Sequence, residues 1–187
     1  MGLPSVVYFL GGLALKVMIV EYSPGWPELF EQEKHLLQKV LANTGVVIEH
    51  VGSTSVVGLA AKPIIDLMLG LPDFSQADSL IPKITALGYV YISKYEDVMP
   101  DRRYFTKKQG QTTTHHIHMV EIGSEFWQRH LLFRNFLRQN PQVAQAYAAL
   151  KKALAQREWQ DGNDYAEAKT EFIKSVEAQA RQAGGEK

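Results

Sequence analysis

The residues able to do chemistry fall in three short stretches of this 187-residue chain. The first runs from His50 through Gly52, Ser53, Thr54 and Ser55 to Lys62 and Asp66. A glycine lets a phosphate come close to backbone amides. The three hydroxyls add donors, and a short helical turn there would point its amino end at an anion. Lys62 can balance charge, and Asp66 can hold a divalent cation that bridges to phosphate oxygens. The same residues also suit a tight, hydroxyl-capped turn above a backbone-bonded aspartate. No GKS or GKT is present, which argues against a Walker-type ATPase.

The second stretch is basic: Arg102, Arg103, Tyr104, Phe105, Thr106, Lys107 and Lys108. On a strand, Arg103, Phe105 and Lys107 share one face, and Arg102, Tyr104, Thr106 and Lys108 share the other. Such a strand can turn a guanidinium toward phosphate while its rings pack. A charged edge that deters sheet-to-sheet pairing is the alternative. Arg103 is the expected phosphate contact, with Arg102 beside it. The third stretch holds His115, His116 and His118. His116 and His118 share a strand face, and with Asp66 they would form a two-histidine, one-carboxylate set for Mg, Mn or Zn. They could equally touch an anion, carry protons, or form a hydrogen-bonded structural pair. Asp66, His116 and His118 are thus the candidate catalytic and metal-ligating residues. His50, at the end of its strand, can join the same cavity. Arg134 can reach it or form an internal salt bridge. Lys151 and Lys169 each follow a tyrosine by four residues; packing explains that spacing, and a further phosphate contact is the other reading.

The elements that must position these groups are legible in the periodicity. Residues 26–43 have apolar residues at helical spacing, with Pro27 in the first turn and Gly45 at the exit. Residues 46–50 predict a strand, and 63–71 another, with Asp66 a lone carboxylate on its second face. A helix over 75–87, a strand over 89–93, a polar loop over 94–100 and an antiparallel pair over 102–108 and 114–122 follow. Ser124 then caps the first of three helices, Pro141 opens the second, and Asp161 or Asn163 precedes a third with Tyr165, Ala168, Phe172, Ile173 and Val176 inside. Residues 1–17 are expected to be a flexible extension, 18–180 one domain divided near 122, and 181–187 a flexible tail.

Lys plus Arg and Asp plus Glu number 20 each, so broad nucleic-acid attraction is disfavoured. The absence of cysteine excludes disulfides, thiolate metal sites and cysteine nucleophiles. The apolar start carries its only lysine after the apolar run and is broken by Gly and Pro, unlike a secretory signal or a membrane span. A cytoplasmic protein is the expectation.

The run from His50 to Val56, the run from Gly58 to Asp66, Tyr22 to Trp26, His116-Ile117-His118, Phe133 to Arg138, and Tyr147 with Leu150-Lys151 together resemble the GrpB family, from about Val20 to Ile173. That resemblance implies an α+β fold of nucleotidyltransferase type: a mixed sheet flanked by helices, then a helical region. In that superfamily a Gly-Ser turn holds nucleotide phosphates and an Asp-x-Asp pair holds magnesium. Gly52 and Ser53 match the turn and Asp66 the first carboxylate. Met68 stands where the second would be, and His116, His118 and Glu121 occupy the strand that supplies a third. The implied ligand is a nucleotide or phosphorylated small molecule. The implied activity is metal-dependent nucleotidyl or phosphoryl transfer, or noncatalytic binding by a degenerate site.

Overall fold

The computed structural model describes residues 15–185. In chain order the elements are β1 (Leu15–Lys16), α1 (Trp26–Val40), β2 (Val47–Val51), β3 (Ile65–Leu71), α2 (Ala77–Thr85), β4 (Val90–Tyr91), β5 (Arg103–Gln109), β6 (Thr112–Glu121), α3 (Glu125–Gln139), α4 (Pro141–Leu154), β7 (Glu158–Trp159), α5 (Gly162–Glu167) and α6 (Thr170–Gly185). Five strands form one mixed sheet in the order β2-β3-β6-β5-β4, and β1 pairs with β7 in a small ribbon. Only the β3/β6 contact in the main sheet is parallel. The chain makes that parallel return through α2, β4 and β5.

The register decides which side chains meet. Val51 lies opposite Asp66, Asp66 beside His116, Met68 beside His118, and His118 opposite Tyr104. Side chains alternate across a strand, so these residues share one face. His50, Ile65, Leu67, Ile117 and Phe105 fall on the other. That second face is the apolar core, covered by Trp26, Phe30 and Leu37 of α1 and by Leu80 and Ile84 of α2. Burying a side chain of this size contributes about 1.5–3 kcal/mol.

The first face is covered over only part of its length. Trp127 of α3 packs on Val51, Met68 and Val120. Gly70 makes this approach possible, because a Cβ there would stand 2.5 Å from the Trp127 ring. Leu137, Tyr147 and Val176 from α3, α4 and α6 close on Val56 and Leu59 in the loop after β2. The helical part is thereby clasped to the sheet, and a hollow remains above Asp66 and His116.

Several expected boundaries move. Leu15–Lys16 pairs with β7 and Val17 is buried against Leu154 and Tyr165, so the folded body reaches further back than residue 18. The rest of the expected extension, residues 1–14, lies outside the described residues, as do 186–187. The tail expected from 181 continues α6 to Gly185. The strand expected over 89–93 is only Val90–Tyr91, because the chain turns at Ser93–Tyr95. The single third helix is two, α5 and α6, separated at Ala168–Lys169, and Ala168 is exposed. Asp161 caps α5 by accepting from the amides of Asn163 and Asp164. Among the described residues no helix is long and apolar enough to cross a membrane.

Candidate functional site

The hollow is a cavity of about 950 Å³ whose floor carries Asp66 and His116. The Gly52–Thr54 turn, Lys62, Lys151 and Lys169 line it, and so do Arg102, Tyr104 and His118. The turn exists because Gly52 has φ +70°, a conformation costly for other residues. Space demands glycine as well: a Cβ would lie 2.3 Å from Asp66 Oδ2. Backbone and carboxylate therefore meet without a side chain between them.

Asp66 Oδ1 accepts a hydrogen bond from His116 Nδ1 at 3.0 Å. Burial pulls the Asp66 carboxyl upward, but the His116 bond and the neighbouring imidazoles outweigh it and hold it below the usual carboxylate range. With Nδ1–H committed to Asp66, a neutral His116 carries its lone pair on Nε2. His118 is oriented differently. A guanidinium can only donate, so the 3.4 Å contact from Arg102 makes His118 Nδ1 an acceptor and leaves its proton on Nε2. Burial holds His118 well below the usual imidazole range, with His130, Arg102 and His116 opposing its charge.

Cations dominate the walls. Lys151 Nζ donates to Ser53 Oγ at 2.9 Å and to the Ala60 carbonyl. Burial, with Lys169 nearby, lowers Lys151 to about 7. Burial and Lys62 lower Lys169 to about 8. Burial also lowers Lys62. Lys62 and Lys169 each hold their ammonium 4.5 Å from the centre of the Tyr165 ring. Tyr165 is buried, and its hydroxyl has no hydrogen-bond partner among the described residues.

The expected site residues divide. Gly52, Ser53, Lys62, Asp66, Arg102, His116 and His118 line this cavity. Arg103 does not: it lies on the opposite sheet face, donating to Asp78 Oδ1 at 2.7 Å and to the Pro100 carbonyl. The phosphate contact expected of Arg103 is corrected on that ground. Ser55 turns its hydroxyl back to the Gly52 carbonyl at 2.6 Å. Thr54 lines the cavity, but its hydroxyl donates to the Ile64 carbonyl at 3.1 Å and is spent there. A hydroxyl has one proton, so the 3.1 Å contact with His50 Nε2 makes the imidazole the donor. His50 stacks on Phe30 beneath the turn and is held neutral by burial, at about 4. It lines a separate apolar groove of about 660 Å³ with Ser55. Arg134 donates to Glu49 Oε2 at 2.6 Å and to the His50 carbonyl, outside the cavity. The internal salt bridge is its role.

The three-residue metal set also fails to assemble. Among the described residues no three His, Asp or Glu side chains stand close enough to share an ion. His116 spends Nδ1 on Asp66, and a guanidinium faces His118 Nδ1, where a cation would be repelled. Lys151, Lys169 and Tyr165 join the cavity wall beyond what their spacing shows. The period of one helix does not tell that α4 and α5 fold back over the turn after β2.

A family model described as GrpB protein matches residues 16–179. The UPF0157 protein YqkA of Bacillus subtilis is 40% identical over 166 residues, 89% of this chain and 48% of its own length. The chain thus spans about half of that relative. The crystal structure of conserved protein GrpB from Enterococcus faecalis superposes with a TM-score of 0.79 at 39% identity, covering 89% of this chain and 98% of that one. The Cid1 poly(U) polymerase, solved with MgGTP bound, superposes with a TM-score of 0.51 at 14% identity over 74% of this chain and 45% of its own. That likeness is one of fold: a mixed sheet flanked by helices, of nucleotidyltransferase type.

Proposed function

The chain belongs to the GrpB family, and from that premise and the geometry of its cavity we propose that it binds a nucleotide or other phosphorylated small molecule. The phosphates lie between the Gly52–Ser53 turn and the lysines. One observation carries this reading. Lys62, Lys151, Lys169 and Arg102 converge on a cavity whose floor carries the carboxylate of Asp66, and none of the four is ion-paired among the described residues. Gathering cations in a recess is costly unless an anion offsets them. At 4 Å and an effective dielectric near 20, each cation–phosphate contact is worth about 4 kcal/mol before desolvation.

The chemistry available after binding centres on His116. Asp66 fixes its tautomer and offsets the charge of an imidazolium, so Nε2 is suited to take a proton from an attacking hydroxyl or water. A second reading, a noncatalytic phosphate-binding module, is favoured by Met68. It stands in place of a second carboxylate and is fully buried against Val51 and Trp127.

Calorimetric titration with nucleoside triphosphates and tripolyphosphate, in Mg²⁺ and in EDTA, tests the proposal. Binding in both media, weakened about tenfold or more by Lys151→Met, is the expected result. Absence of binding by every phosphate compound would contradict it.

A further inference from the structure

We infer that the Arg102 end of the cavity is a second ligand subsite, taking a planar aromatic ring that carries an anionic group: a nucleoside monophosphate. The inference rests on the phosphate-binding reading of the lysine end and adds a second occupant to the same cavity.

Distance separates the two ends. At one end Gly52 sits against Asp66 on β3; at the other Arg102 reaches His118 on β6, whose register partner Met68 is two residues beyond Asp66. Asp66 and His116 lie between. The cavity, at about 950 Å³, is near the top of the range of about 300–1,000 Å³ for small-molecule sites.

The chemistry of this end differs from that of the lysine end. The Arg102 guanidinium carbon lies 5.9 Å from the Tyr95 ring centre, 5.2 Å from Tyr104 and 5.7 Å from Phe126. Aromatic faces hold a guanidinium in place without neutralising it. Arg102 forms no ion pair among the described residues, and its Nε is buried without a hydrogen-bond partner. Buried donors are rarely left so. The planar fork of a guanidinium matches two oxygens of a phosphate. Around it the wall is apolar: Val98 is 79% exposed and Met99 38%. Inorganic phosphate alone would satisfy the guanidinium and leave this apolar rim in water. A ring attached to the phosphate covers the rim and stacks on the tyrosines.

The loop that carries Tyr95, Val98 and Met99 is tied down from the far face of the sheet. Arg103 donates to the Pro100 carbonyl and to Asp78, and the Tyr91 hydroxyl bonds Glu96. The subsite is therefore built before any ligand arrives, which lowers the ordering cost of binding.

The test titrates AMP, GMP, CMP and UMP, followed by NMR saturation transfer, into protein alone and into protein saturated with a nonhydrolysable nucleoside triphosphate. At least one monophosphate should bind in both cases. In the triphosphate-saturated protein Arg102→Met should weaken it tenfold or more, and Arg102→Lys should weaken it less. Inorganic phosphate should bind at least tenfold more weakly than the nucleotide. Displacement of the monophosphate by the triphosphate, or indifference to Arg102→Met in a variant with an unchanged melting temperature, would overturn the inference. Failure of the triphosphate to bind would count against the phosphate-binding reading instead, and the monophosphate titration of protein alone would still decide this one.

Discussion

Gly52 sits directly against Asp66, so close that a Cβ on the glycine would lie 2.3 Å from the carboxylate oxygen Oδ2. Backbone strain and steric exclusion act together at this position. Gly52→Ala should cost about 1–3 kcal/mol from the positive φ alone. At about 2–4 °C per kcal/mol for a chain of this size, thermal denaturation should register the loss. The alanine should also displace Asp66 and weaken phosphate binding. A variant that melts with the wild type would show that the turn does not hold the described conformation.

The Asp66–His116 contact sets a tautomer. Asp66→Asn keeps the shape but lets the side chain offer an NH₂ as well as an oxygen to the ring. ¹⁵N chemical shifts of His116 should show Nδ1 protonated in the wild type and a tautomer balance moved toward Nε2–H in the asparagine variant. An unchanged tautomer balance would contradict the contact.

Lys151 makes stability depend on pH in an unusual direction. Burial lowers its folded value to about 7 from 10.5. Between those values the unfolded chain holds a proton there that the folded chain has released, so unfolding takes up protons and stability rises with pH. Below about 7 both states are protonated and the cost of the buried charge is fully present. The wild-type melting temperature minus that of Lys151→Met should therefore increase from pH 7 toward pH 10. A difference that is flat over this range would contradict the burial of the amine.

The same lowered values predict proton uptake on binding. At pH 8 Lys151 is mostly neutral and Lys169 about half charged. A polyphosphate between them restores both charges. Calorimetry of tripolyphosphate at pH 8 in buffers of different ionisation enthalpy should show uptake of protons that shrinks in Lys151→Met. Proton release would contradict it.

Away from the cavity, Glu33 of α1 is buried and bonded to Lys107 Nζ at 2.8 Å. Lys107→Met strands the carboxylate. Removing one partner of a buried pair costs about 3–5 kcal/mol, and the 23% exposure of the lysine side chain brings the expectation to about 2 kcal/mol. Adding Glu33→Gln should recover part of the loss in denaturant unfolding. A double variant less stable than the single would contradict the pairing.

Much of this architecture was legible from periodicity. Alternation alone places Asp66 and His116 on particular strand faces, and the register of β3 with β6 brings those faces together. Arg103 shows where alternation stops. Its parity relative to Tyr104 was visible, but which parity faces the histidines depends on the pairing of Tyr104 with His118 across two strands. That pairing is a tertiary fact. Thr54 and Ser55 show a second limit. Their hydroxyls suit a phosphate, and only the folded chain reveals that the Ile64 and Gly52 carbonyls already use them. Lys151 and Lys169 show a third: four residues after a tyrosine, each matches a solvent-facing helix position. Burial came from the fold-back of α4 and α5 over the turn, which no local pattern records.

The position of bound phosphate groups is the decisive observable. Crystals of the protein soaked with a nonhydrolysable nucleoside triphosphate give the direct answer. Phosphate density within hydrogen-bond reach of Lys151 Nζ and Ser53, above Asp66, is the predicted result. Density confined to the apolar groove beside Phe30 and His50, or a cavity without phosphate at millimolar nucleotide, would contradict it.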